Sequence, residues 1–325
     1  AAVFDRLEAV LADPRLAGVD AGSADATPPE PGPGVDCKGM DLSGRDLAGR
    51  DLSSLDLAGA NLSGAKLVGA RLVHANLRAA SLASADLTDA NLEAAVLTNA
   101  NLSNANARGA RLVAATFDRG FARKTTLAGA VIDEARMAEL VVSDADWSRV
   151  SARRVRFRKV VFQRVNLEGA DFGEAELVEC YFLNCRARGL VARGALAHRT
   201  SFGASDLEGA SFEGLRGERT IWKDARLAGA DFSRAVLPSA FFIGVTGAAP
   251  RFFGANLLGA RFYKARLERG DFTRANLMGA DFSKAHIDGA RFTDANLYDA
   301  KFLGSAGAAT DFSGANLKRA LFEQP

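Results

Sequence analysis

The side chains best suited to chemistry are few, and their spacing serves it poorly. Three histidines, His74, His198 and His286, could act as general bases or metal ligands, but they are far apart in a chain of 325 residues. Three cysteines, Cys37, Cys180 and Cys185, are too few and too scattered for a disulfide framework. Cys180 and Cys185 stand at consecutive small inward sites of the repeat described below, where cysteine behaves as a small hydrophobe. Asp41, Asp46, Asp51 and Asp56 recur evenly. Even spacing suits a tight turn, which favours Asp or Asn, better than a pair of catalytic carboxylates. No glycine-rich loop follows a strand and opens a helix, so a phosphate site is unsupported. The sequence therefore predicts no catalytic residue, no cofactor site and no metal site, and the chain reads as a non-enzyme.

What must position any functional group here is a five-residue repeat. Leucine stands at Leu42, Leu47, Leu52 and every fifth residue through Leu102, and from Ala60 onward an alanine lies two residues before each. A period of five is neither the 3.6 of an α-helix nor the 2 of a flat strand. It fits a chain that turns a corner every five residues, with a small and a large side chain inward and three outward. Internal repetition of this kind signals a solenoid. The stretch DLSGRDLAGRDLSSLDLAGANLSGAKLVGARLVHANL resembles the pentapeptide-repeat family, A-(D/N)-L-x-x, and the likeness covers about residues 40–322. The resemblance implies an all-β fold, a right-handed quadrilateral β-helix in which four pentapeptides make one coil. With 57 central residues from Leu42 to Phe322, it implies about 14 coils at the ~4.8 Å strand spacing, a rod about 68 Å long.

The inward column changes along the chain. Up to Leu112 it is almost all leucine, whereas from Phe202 onward every central residue with a number ending in 2 is aromatic. Four faces per coil would then place phenylalanines on two opposite faces and leucines on the other two. Gly217, Gly247 and Gly307 interrupt the leucine positions, so GLRGER, GVTGAAP and GSAGAAT read as bulges or loops. Between about residues 118 and 200 Val150, Val155, Val160 and Val165 replace the small alanine. Ala122, Ala152, Ala187, Ala192 and Ala197 take the large site, an exchange that preserves volume.

At the N-terminus Val3, Phe4, Leu7, Val10 and Leu11 share one helical face, which predicts a short amphipathic helix in residues 1–20. Residues 21–39, with the run AGSADATPPEPGPGVD, read as a Pro/Gly-rich linker, and residues 40–325 as the β-helix. The chain starts on Ala rather than Met, which reads as a processed or excised piece of something longer. No transmembrane span and no secretion signal are recognisable, and the cysteine usage suits a reducing compartment, so a cytoplasmic location is expected.

Net charge is +2, but it is unevenly spread. Residues 1–120 carry 11 basic and 15 acidic side chains, residues 121–200 carry 14 and 10, and the remainder 16 and 14. The run RVSARRVRFRKVVFQR, residues 149–164, concentrates Arg149, Arg153, Arg154, Arg156, Arg158 and Lys159 as a candidate basic patch. A second candidate comes from taking every twentieth residue of an outward column: Phe121, Val141, Val161, Tyr181, Ser201, Ile221 and Phe241, of which all but Ser201 are apolar. Arg123, Lys124, Arg164 and Lys223 fall on the same face. This is the predicted protein-binding face.

These readings point to a protein–protein interaction scaffold, with another protein along the side face or loops as partner, or a second copy of the chain. The charge argues against nucleic acid. The alternative is a DNA mimic similar to topoisomerase-protecting pentapeptide-repeat proteins, whose acidic rods engage gyrase; a sequence pI of about 8.5 speaks against it. The layout of helix, Pro-rich linker and repeat also looks like the repeat tails of bacterial type VI secretion adaptors, which would make the chain an adaptor or effector-loading module.

Overall fold

The computed structural model describes residue 31 and residues 36–322. The chain divides into two compact units, Ala1–Ser151 and Ala152–Pro325. The expected helix of residues 1–20 and most of the expected linker lie outside the described residues. No helix occurs among the described residues, and both units are parallel β-solenoids. The residue before each inward side chain bridges the residue twenty positions later: Asp41 with Asn61 and Arg71 with Asn91 in the first unit, Ile221 with Phe241 and Asp271 with Arg291 in the second. A twenty-residue register is four pentapeptides, so each coil has four faces.

The corners follow from local chemistry. The Ala65 amide donates to the Leu62 carbonyl at 3.1 Å, closing a turn, and Ala255 does the same to Phe252 at 3.0 Å. The last turn residue takes positive φ, as at Gly64 (66°) and Ala94 (53°). Glycine adopts this freely, whereas an L-residue gives up about 1–2 kcal/mol. The next coil holds such residues in place, since the Ala94 amide donates to the Val113 carbonyl at 2.8 Å. The aspartates serve the corners as expected. The Ser43 amide donates to Asp41 Oδ1 at 3.0 Å, and Asn61 Nδ2 reaches the same oxygen from one coil on, also at 3.0 Å. The Ser43 hydroxyl, then its amide, hold the Asp41 carboxyl below its usual value.

In the first unit the core is a leucine–alanine lattice. Leu42, Leu62 and Leu82 on one face and Leu52, Leu72 and Leu92 on the opposite one are fully buried. Each contributes roughly 1.5–3 kcal/mol of transfer free energy. Cys37 occupies an inward site as well, and the Gly39 amide donates to the Ala58 carbonyl at 2.9 Å. The register therefore already holds at Asp36, one pentapeptide before residue 40. Three strands appear further on: β1 (Phe121–Arg123), β2 (Arg136–Ala138) and β3 (Val141–Ser143), with β1 and β3 paired in parallel.

The second unit holds β4 (Arg156–Arg158), β5 (Val161–Gln163), β6 (Glu176–Val178), β7 (Tyr181–Leu183) and β8 (Leu196–His198). There β5 pairs with β7, and β6 lies between β4 and β8, all parallel. The inward residue after each of the eight strands is Thr125, Leu140, Ala145, Val160, Val165, Cys180, Cys185 or Thr200. Only one is alanine, whereas alanine dominates elsewhere. The exchange of large and small holds: Val150, Val155, Ala152 and Ala197 are all buried at 1% exposure or less.

Beyond Phe202 two aromatic columns run on opposite faces, as expected. Phe232, Phe252 and Phe272 stack with centroids 4.9 and 4.8 Å apart, and Phe252 meets Phe242 and Phe262 of the other column edge-to-face. The glycine segments correct the sequence reading, because none is a bulge or an inserted loop. Arg216 still bridges Val236, Thr246 bridges Arg266, and His286 bridges Ala306. At Gly217 the backbone itself moves inward, so that a Cβ would sit 2.5 Å from the Ala197 carbonyl oxygen. The next inward residue then compensates for the missing side chain. Thr220 is fully buried there and accepts a hydrogen bond from the Trp222 indole at 2.9 Å.

Candidate interaction face

The groups that could do chemistry stay apart. His74, His198 and His286 are exposed. Cys180 and Cys185 are buried, and burial pushes both thiols up to about 12, which leaves essentially no thiolate at neutral pH. Among the described residues no cluster of His, Cys, Asp and Glu is placed to hold a metal ion.

Within the second unit the basic residues of the run do not gather on one face. In the first unit Arg149 sits on a corner with φ 54°. In the second, Arg153 and Arg154 stand on one side of the coil, and Arg156, Arg158 and Lys159 on the next, because the chain turns between them. Arg153 is engaged with Asp171 at 3.1 Å and Glu174 at 3.7 Å, and Arg156 with Glu176 at 3.9 Å. The corner between Arg153 and Arg156 separates them, and their exposed ion pairs are each worth little.

The every-twentieth-residue column behaves differently in each unit. In the first, Phe121 of β1 pairs with Val141 of β3, and each is only 6% exposed. In the second, Val161 pairs with Tyr181, Tyr181 bridges Ser201, Ser201 bridges Ile221, and Ile221 bridges Phe241. Val161 and Ser201 are buried there, Tyr181 and Phe241 are half-buried, and Ile221 is 37% exposed. The twenty-residue phase on which the column depends is kept within both units. Arg123 and Lys124 are exposed in the first unit, Arg164 and Lys223 in the second, and Lys223 Nζ lies 3.9 Å from Asp224.

The recurrent bridge at twenty residues, the turn that recurs every five residues and the alanine at most of the small inward sites are the marks of one repeat. Two models described as pentapeptide repeats match, one at residues 36–73, 56–93, 75–112, 135–173 and 275–319, the other at 252–296. Together they cover more than half of the 325 residues. The chain belongs to the pentapeptide-repeat family. No curated protein matches it. Similar solved structures include HetL, a pentapeptide repeat protein involved in heterocyst differentiation regulation in Nostoc sp. strain PCC 7120, at 22% identity over 73% of this chain and 89% of that one, TM-score 0.34. QnrB1, a plasmid-mediated fluoroquinolone resistance protein, matches at 20% identity over 58% and 92%, TM-score 0.31. A pentapeptide repeat protein from the Arabidopsis thaliana thylakoid lumen matches at 30% identity over 34% and 74%, TM-score 0.20. At such TM-scores these likenesses carry no weight for function.

In this pentapeptide-repeat chain one outward column was legible and its neighbour was missed. Each outward strand offers two side chains on the same face, one before and one after the inward residue. In the second unit the later column brings Leu183 beside Tyr181, Ile243 beside Phe241, and Tyr263 one coil on. All three are half-buried. Stepping two residues along from each column member would have found them. Cations border these rings: Arg261 lies 5.3 Å from the Phe241 centroid, and Lys264 and Lys284 lie 5.3 and 5.9 Å from that of Tyr263.

Proposed function

We propose that this pentapeptide-repeat protein is a non-catalytic scaffold that binds another protein along one face of its second unit. The observation that carries the reading is the pair of outward columns that hold Tyr181, Leu183, Ile221, Phe241, Ile243 and Tyr263, interrupted by Ser201, Gly203 and Lys223. Proteins seldom leave contiguous apolar area uncovered unless it binds something. Lys223 within the later column and Arg261, Lys264 and Lys284 around its far end suit a partner that presents acids beside its apolar residues. Thiols raised by burial and dispersed exposed histidines support the non-enzymatic part of the proposal.

The same cations argue against topoisomerase protection by acidic mimicry, which would need the opposite sign of charge. Buried thiols suit a reducing, cytoplasmic location; among the described residues no helix is long and apolar enough to cross a membrane. Service as a type VI secretion adaptor or effector-loading module is the narrower form of the proposal, and its support is the layout of the sequence. Substitution tests the face directly. Ile221→Asp and Phe241→Asp should leave the melting temperature nearly unchanged and abolish capture of the partner, or self-association if the partner is a second copy. Normal binding by both folded variants would make the face inert, and unfolding of both would place these side chains in the core.

A further inference from the structure

A different face of the second unit runs through four coils, from Val236 to Tyr298, with no charged residue at its outward positions. A quarter of this chain is charged, and over the same stretch each of the other three faces carries charges, among them Lys264, Arg266 and Asp271. Two columns make the uncharged strip. In one, Asn276 Nδ2 donates to Asn256 Oδ1 at 3.1 Å, and Asn296 Nδ2 donates to Asn276 Oδ1 at 3.1 Å. Asn276 Oδ1 also accepts the Met278 amide at 3.5 Å, so the ladder's acceptor is already satisfied and covering it costs little. In the other column Pro238, Leu258, Met278 and Tyr298 follow one another. Leu258 and Met278 are 42% and 41% exposed, among the most exposed large apolar side chains of the described residues.

We propose that this strip is the contact between two copies of the chain, lying antiparallel and side by side. A charged partner would have to bury its charges against a surface with none to answer them, whereas the chain's own strip brings none. The strip also sets its own register, because its centre falls between Leu258 and Met278. A two-fold axis lying across the strip at that point sets each column opposite itself with the coil order reversed. Leu258 then meets Met278 of the other copy, Pro238 meets Tyr298, and the asparagine amides meet one another. The charges just beyond the strip test that register independently. Exposed Glu218 stands one coil before it and exposed Lys318 one coil after it, and the axis brings Glu218 of each copy to Lys318 of the other. Arg219 and Arg319 also approach, but each is held by an acid of its own chain, Glu218 at 3.7 Å and Asp299 at 3.2 Å. From Glu218 to Lys318 is five coil steps, about 24 Å. A contact of that length and one face in width lies below the ~1,200 Å² of a standard interface, so the dimer is weak and forms at high concentration. It leaves the face of Ile221 and Phe241 free, and the proposal does not depend on what binds there.

Sedimentation of the full chain from about 10 μM to about 1 mM, at low salt, provides the test, with melting temperatures to show that each variant folds. The wild type should pass from monomer to dimer across that range. Met278→Lys should keep it monomeric throughout. Glu218→Lys and Lys318→Glu should each weaken the dimer at least about fivefold, since each reversal acts twice in a symmetric pair. The double variant carrying both reversals should recover most of the loss, because the exchanged charges meet again across the two-fold axis. A merely local role for either residue would give no recovery. Ile221→Asp should dimerise as the wild type does. A wild type that stays monomeric up to 1 mM, a dimer that survives Met278→Lys, a dimer lost on Ile221→Asp, or no recovery in the double variant would each overturn the proposal.

Discussion

Leu92 in the first unit and Phe252 in the second occupy the same place in the coil, and neither is exposed. Their amides make the same bond to the next coil, Leu92 to the Arg111 carbonyl at 2.7 Å and Phe252 to the Asp271 carbonyl at 2.6 Å. One backbone thus accepts two cores of different bulk. The aromatic solution works because a ring lying parallel to its neighbour needs about the spacing that the coils already have. Phe252 and Phe272 are 4.8 Å apart and 5° from parallel, against a coil rise of about 4.8 Å. The opposite column meets these rings edge-to-face, an arrangement worth about 0.5–1.5 kcal/mol per pair beyond burial. Leucine fills the same site by branching and gains no directional contact. The comparison teaches that backbone pairing sets the coil, while side chains decide how rigidly it is filled.

That comparison can be broken most severely by charge. Leu87→Lys places an unpaired ammonium in a site that is 1% exposed. It should cost more than about 4 kcal/mol, read as a collapse of the thermal transition. A wild-type melting curve would refute the inward assignment.

A reciprocal swap sharpens the comparison. Phe252→Leu removes two stacked and two edge-to-face contacts and leaves a partly filled site, at an expected cost of about 2–3 kcal/mol. Leu92→Phe brings a ring into a leucine column with no ring above or below, and overpacking should cost about 1–3 kcal/mol. Chemical denaturation of each variant measures both. If the swap were neutral in both directions, ring stacking would contribute nothing specific.

The smallest effect concerns the corners, where early coils use glycine and later ones often do not. Ala94 holds φ 53°. Ala94→Gly should remove that strain and stabilise the chain by up to about 1 kcal/mol, net of the extra backbone entropy glycine loses. A fall in the denaturation midpoint would show that the strain at Ala94 is already relieved by its surroundings.

Much of the fold was legible because the period is local. Leu42 to Leu102 at every fifth position, with Ala behind and Asp or Asn between, states which side chains turn inward and where corners fall. The two aromatic columns followed from numbering alone once four pentapeptides made a coil. The glycine segments were misread for a physical reason: Gly217 resembles a breaker in sequence, but Thr220 fills the vacated space, and the bridge from Arg216 to Val236 persists. The candidate face was half legible, since Tyr181, Ile221 and Phe241 follow from a twenty-residue step, whereas Leu183, Ile243 and Tyr263 require pairing of two columns.

The sequence by itself determined the register, the inward and outward sides, and the residue types on each column, because all of these repeat within five positions of chain. Tertiary structure alone decided which outward residues are closed. Phe121 and Ile221 stand in equivalent outward positions, yet one is 6% and the other 37% exposed. It also decided that residues 153–159 form no single patch, since successive pentapeptides point in different directions. Exposure and charge grouping depend on neighbours twenty residues away. No five-residue pattern encodes either.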